Sequence, residues 1–178
     1  ISSILELIIP INNPNNGDWL NHQLVDISTS ETIRSWTIMV ERQSGEEDSN
    51  SPYEHTFLDT VIDSVNVDLF EHFQLKDGVT YSYSVIGFDL AGNLSDTIKV
   101  DSIHYDITPP VLTLIYPYDD EAINNTSISY AASEQLSAGD FLWTQTKGLI
   151  DTLSPHNIEL IGDELSPNEV PSIALNPL

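Results

Sequence analysis

The chain matches itself at a spacing close to the size of one small β-domain, and that repeat limits its possible folds more than any other feature. Ile4-Leu5-Glu6-Leu7-Ile8-Ile9-Pro10 resembles Val111-Leu112-Thr113-Leu114-Ile115-Tyr116-Pro117, an offset of 117 − 10 = 107, and at that offset Trp36-Thr37 falls on Trp143-Thr144. Further on, Gly45 and Asp48-Ser49-Asn50-Ser51-Pro52 match Gly148 and Asp151-Thr152-Leu153-Ser154-Pro155, where the offset is 155 − 52 = 103. The mismatch places an insertion in the first copy after its Trp, in the acidic polar stretch Arg42–Asp48, where loop length is cheap. At the second offset Val67 also meets Val170, Phe70 meets Ile173 and Leu75 meets Leu178. Two β-rich halves can match by chance at scattered positions; Pro, Trp and Ser-Pro shared in one order point instead to duplication.

The repeat divides the 178 residues into a first domain at 1–108 and a second at 109–178, with the boundary in Tyr105-Asp106-Ile107-Thr108-Pro109-Pro110. Two prolines stiffen such a joint and bias the residue before each toward an extended form. Within the first domain, Val79-Thr80-Tyr81-Ser82-Tyr83-Ser84-Val85 alternates with period two, the pattern of a half-buried strand. Six further strands are expected at Ile4–Ile9, Gln23–Ile27, Ile33–Val40, Glu54–Leu58, Val65–Phe70 and Thr97–His104, separated by Asn, Gly, Asp, Ser and Pro clusters. No stretch holds helical periodicity over ten residues. The expectation is all-β, with Trp36 and Trp143 as core residues of a central strand in each copy.

Several motifs carry a family resemblance. Leu75-x-x-Gly78-x-x-Tyr81 looks like the tyrosine-corner stretch of fibronectin type III and related immunoglobulin-like domains. Phe88-Asp89-Leu90-Ala91-Gly92-Asn93 resembles the D-x-A-G-N turn of tandem immunoglobulin-like repeats in large bacterial surface proteins, and Tyr105–Pro110 is similar to the D-x-T-P-P linkers that open each repeat. Ser133-Glu134-x-Leu136, then Trp143, Ser154-Pro155-His156, Leu160 and Leu165, looks like a second such repeat. The resemblance implies two tandem immunoglobulin-like β-sandwich modules. It also implies that the Tyr81 hydroxyl bonds to backbone near Leu75–Asp77. The first copy carries Tyr53 where the second has His156, which leaves no shared role for that histidine.

Composition excludes some functions. Five Lys+Arg against 28 Asp+Glu give a net charge of −23. Both domains are acidic, 4 − 18 = −14 before Pro109 and 1 − 10 = −9 from it onward. A nucleic-acid ligand needs cations to neutralise phosphates, and an anionic membrane surface needs them too. Unbroken apolar runs such as Leu7-Ile8-Ile9 fall far below the roughly 20 residues that span a bilayer. With no cysteine there is no disulfide, thiolate metal site or Cys nucleophile. The chain opens at Ile1 without a basic leader, as an internal segment of something longer would.

No catalytic or cofactor-binding residues stand out: there is no Gly-x-Ser-x-Gly elbow, no Gly-rich phosphate loop, and no pair singled out among the many carboxylates. Calcium is the one cofactor to weigh. Asp89 and Asn93 could share an ion with Asp101 or Asp106 at the module joint, or Asp89 could simply cap a turn in which Gly92 or Asn93 takes positive φ. The runs Asp119-Asp120-Glu121 and Glu46-Glu47-Asp48 read as solvated loop tips. His22, His55, His72, His104 and His156 form no ligand-spaced pair, and the sequons at Asn93, Asn124 and Asn125 carry little weight.

These features together suggest a secreted or cell-surface protein whose modules space, display or assemble an adhesive fibre, with neighbouring repeats or subunits as partners. A ligand- or carbohydrate-binding adhesin module, with Trp19 beside Asp18 and Tyr118 as contact residues, is the first alternative; an accessory domain of a secreted hydrolase is the second. The second copy also stops short of a counterpart to Asp77–Asp106, so it lacks its last strands. They would come from continued chain or from a strand donated by another subunit.

Overall fold

A computed structural model describes residues 7–123 and 127–174. The period-two patterns become strands throughout: every regular element described is a strand apart from two 3-10 turns at Leu69–Glu71 and Gly162–Leu165. No helix among the described residues is long and apolar enough to cross a membrane. The chain divides into two units, Ile1–Thr108 and Pro109–Leu178.

Unit 1 holds β1 (Ile11–Asn13), β2 (Trp19–Leu20), β3 (Leu24–Ser28), β4 (Ile33–Gly45), β5 (Tyr53–Phe57), β6 (Ser64–Asp68), β7 (Val79–Asp89) and β8 (Ile98–Tyr105). One sheet runs β1-β3-β6 and the other β2-β8-β7-β4-β5. All neighbours are antiparallel except β2, which lies parallel to β8. A single apolar core draws on both sheets, with Val25 and Ile27 from one and Trp36, Ile38, Val40, Tyr81, Tyr83, Val85 and Ile103 from the other. Trp36 stacks on Phe57 across the β4–β5 pair, ring centroids 4.2 Å apart. Each large side chain so buried contributes about 1.5–3 kcal/mol, which is why the alternation on β3 and β4 fixes their register.

Some expected bounds shift. For the expected strand Ile4–Ile9, residues 4–6 lie outside the described residues; Leu7–Ile9 form no ladder, and the first strand begins at Ile11. Pro10, which has no N–H to give, separates the two stretches. Leu7 and Ile9 are nonetheless buried while Ile8 faces outward and exchanges hydrogen bonds with Ser30. The expected strand Val65–Phe70 stops at Asp68, whose carboxylate accepts from the Phe70 amide and turns the chain into the 3-10 segment.

Unit 2 holds β9 (Leu112–Tyr116), β10 (Ser127–Ala132), β11 (Asp140–Trp143), β12 (His156–Glu159) and β13 (Asn168–Ala174), in sheets β13-β10-β9 and β11-β12. Among the described residues its apolar cluster is Tyr130 and Leu160, with Phe141 and Leu165 against them.

Local geometry recurs between the units at one constant offset, 154 − 51 = 103. In unit 1 Ile11 pairs with Ile27 and Asn13 with Asp26; in unit 2 Leu114 pairs with Tyr130 and Tyr116 with Ser129, with the same bulge between. Val40 pairs with Tyr53, and Trp143 with His156. The Asn15 amide donates to the Asp18 carboxylate and the Tyr118 amide to that of Glu121. Between these partners, Gly17 and Asp120 both take positive φ.

This corrects the sequence alignment. The position matching Trp143 is Val40, and the position matching Trp36 is Gly139, whose carbonyl accepts from the Leu160 amide. The 107-residue offset and the insertion after Trp36 therefore fall away. Trp143 is half-buried on a two-stranded sheet, so it is not the central core residue expected. Beyond β12 the spacing widens in unit 2: Ile128 pairs with Ile173 as Val25 pairs with Val67, so Ile173 matches Val67 and not Phe70. The proposed Leu75–Leu178 match lies outside the described residues.

Candidate functional site

The best-built polar cluster centres on Asp48, in the β4–β5 turn of unit 1. The buried Asp48 carboxylate accepts from the Tyr81 hydroxyl at 2.6 Å, from the Tyr53 hydroxyl at 2.9 Å and from the Asn50 amide at 3.1 Å. Tyr81 reaches this position from β7, and its oxygen also accepts from the Lys76 amide at 2.9 Å, five residues back. That is the backbone contact expected of Tyr81; the bond to Asp48 could not be read locally, because 33 residues separate the partners. Burial raises the Asp48 carboxyl, but the Tyr81 and Tyr53 hydroxyls outweigh it and hold the group below its ordinary value. Burial and then the hydrogen bond to Asp48 push the Tyr53 phenol up to about 12, and Tyr81 is raised for the same reasons. Both phenols therefore remain protonated donors. The cluster ties the β4–β5 turn to β7 and offers no group poised to exchange protons near neutrality.

The matching turn in unit 2 keeps the frame and changes the head group. Gln145 and Ser154 repeat the amide-to-hydroxyl bond made by Arg42 and Ser51, at 2.8 Å against 2.7 Å. The Asp151 carboxylate meets the His156 ring at 2.6 Å where Asp48 meets Tyr53. The hydrogen bond from His156 is the main cause holding Asp151 below its ordinary value. His156 thus belongs to a turn that the two units share.

The calcium candidates do not meet. Asp89 ends β7, while Asp106 follows β8 beside the start of β7, where Val79 pairs with Tyr105. Eleven residues of strand at about 3.3 Å each separate the two ends. Asp101 bonds instead to Gln43 and Lys99. The proposed shared site is therefore corrected: Asp89 caps its own turn, accepting from the Asn93 amide and side-chain amide at 2.7 Å each, and Gly92 takes the positive φ. Among the described residues no group of three or more His, Asp or Glu is gathered as a metal site.

The remaining histidines each have a ring or backbone contact. His55 and His72 stack with centroids 3.7 Å apart, both edge-on to Phe57. His22 accepts from the Leu24 amide. His104 bonds to the Thr80 hydroxyl and carries the Trp19 ring, stacked at 4.5 Å. Trp19 is 71% exposed, which makes a flat aromatic platform flanked by Asp18; Tyr118, also exposed, lies in the other unit. On the outer face of the larger sheet, a recess of about 290 Å³ is lined by Thr37, Met39, Glu54, Ser84, Val85, Ile86 and Thr97. It brings the Glu54 carboxylate into the same recess as the Ser84 hydroxyl, which donates to the Met39 carbonyl at 3.5 Å.

No family model matches the chain. No curated protein is similar enough to match it either.

Proposed function

We propose that the chain is a pair of immunoglobulin-like β-sandwich modules, copies of one another, from a secreted or surface-anchored protein, where they space, display or assemble rather than catalyse. The observation that carries this reading is the single 103-residue offset at which pairing, bulge and turn hydrogen bonds recur. Repetition of a module is what a spacer needs, since each added copy extends the reach without new chemistry. The charge of −23 supports it, because mutual repulsion keeps neighbouring acidic modules soluble and apart. Antibody raised against unit 1 should label intact source cells or their medium, and external protease should remove the signal. Recovery only after lysis would overturn the reading.

Trp19 favours a second reading, an adhesin module that takes a carbohydrate on an aromatic platform. Its exposed ring is held flat by His104, and the unit 2 position at the same offset is Ala122, so the platform is not part of the shared frame. Titration with soluble polysaccharides would show saturable binding that Trp19→Ala abolishes; no binding by the intact chain would remove this reading.

A further inference from the structure

We infer that unit 2 is an acceptor for a two-stranded β-hairpin that follows β13 in the protein, pairs antiparallel with β11 and covers the apolar face between β9 and β11. The inference rests on the reading of the two units as copies of one module. In unit 1, β4 lies between β5 and β7 and pairs with β7 from Ile33 to Gly45. Its counterpart β11 pairs only with β12 among the described residues, leaving one edge open. An open edge beside an apolar face is a template for strand addition.

The exposure of matched positions shows where the missing cover belongs. Ile9 and Ile11 are 0% and 8% exposed, whereas Leu112 and Leu114 are 55% and 53% exposed. Ile38 and Val40 are fully buried, whereas Phe141 and Trp143 are half-buried. In unit 1 the cover is β7 and β8. Ile9 abuts β7 so closely that a Cβ added at Gly87 would meet its Cδ1 at 2.5 Å. Gly45 likewise lies against Gly78 and Val79 at the start of β7, while at Gly148, also at positive φ, an added Cβ would meet, among the described residues, only the Gln145 side chain. Asp48 is buried under the Tyr81 hydroxyl; Asp151 has His156 and is exposed. The occupant is thus a hairpin with alternating apolar residues on its first strand and a hydroxyl able to reach Asp151.

Chain order assigns its source. In unit 1, β7 follows β6 after the connection 69–78, and the strand matching β6 is β13. A second copy of the chain is a poor donor, because Tyr81, Tyr83, Val85 and Ile103 of its own hairpin are fully buried and would have to leave their core.

Amide hydrogen exchange tests this on two chains: residues 1–178, and a chain in which residues 69–106 follow Ala174, the position that pairs as Asp68 does. The added hairpin should slow exchange at Asp140–Trp143 tenfold or more and shift Trp143 emission to the blue. Placing Leu114→Asp in the extended chain should reverse both changes and leave β4 protected. Equal exchange at β11 in the two chains would overturn the inference. So would a concentration-dependent dimer of residues 1–178 in which β11 is already protected, since a second copy would then be the cover. Neither result bears on cell-surface recovery, so the spacer reading stands or falls separately.

Discussion

Tyr81 and Tyr83 sit two residues apart on β7, both fully buried, with opposite polar circumstances. The Tyr81 hydroxyl serves Asp48 and the Lys76 amide, whereas the Tyr83 hydroxyl has no hydrogen-bond partner among the described residues. Tyr81→Phe should cost about 1–3 kcal/mol, because a buried carboxylate loses its closest donor. Tyr83→Phe should be neutral or stabilising, because it removes an unpaired polar atom from the core. Urea unfolding of the two variants checks the contrast. The Tyr81 backbone contact was legible from Leu75-x-x-Gly78-x-x-Tyr81, because it is local. The unpaired Tyr83 was not, because alternation marks a residue as inward-facing without showing what its hydroxyl meets. A second residue-level prediction concerns pH. Burial, then the charge on His72, lowers His55 from its ordinary 6.5. The unfolded chain therefore binds that proton more readily, so stability is complete above about pH 6.5 and declines as pH falls through the lower folded value. Asp48, Asp77, Asp89 and Asp151 are held below 3.8, so their contribution persists until pH falls past that value toward their folded ones. Denaturant midpoints should decline in two separate steps on acidification, and His55→Phe should remove the upper step alone.

At the scale of elements, the β4–β5 hairpin shows what residue identity can and cannot reveal. Its Ser-Pro turn was legible because Asp, Ser and Pro each have a fixed task there, and the task recurs in β11–β12. The Trp-Thr match misled because backbone pairing sets the register, and the position that matches Trp143 is Val40, four residues along the same face of β4 from Trp36. Trp36 fills its position with Phe57 over it, while at Gly139 the space is taken by Leu136 and Leu160. β2 was missed because two residues cannot display a period. The hairpin end gives a third prediction. Gly45→Ala should cost more than Gly148→Ala in thermal melts: both positions have positive φ, but only at Gly45 would the new Cβ meet backbone, the Gly78 carbonyl at 2.4 Å. A gap of about 1 kcal/mol or more is expected.

For the whole molecule, the all-β character was legible from alternation and from turn residues. The joint chemistry was not legible, because calcium ligands are a matter of which strand ends coincide. With Asp89 and Asp106 at opposite ends of β7, excess calcium and chelator should give the same melting temperature by calorimetry at physiological salt. A calcium-dependent rise would require an ion held elsewhere.

The parallel pairing of β2 with β8 has a mechanical consequence. β2 is the second strand of unit 1 and β8 its last, and they are joined by backbone bonds from Gly17 to Asp101, His104 to Asp18 and Asp106 to Leu20. Once tension along the chain reaches β2, it drags the strand lengthwise against β8, loading all three bonds together. An antiparallel pair at the same place would open like a zipper, one bond at a time. The β2–β8 pair therefore meets such a pull in shear, the direction in which a short strand resists most.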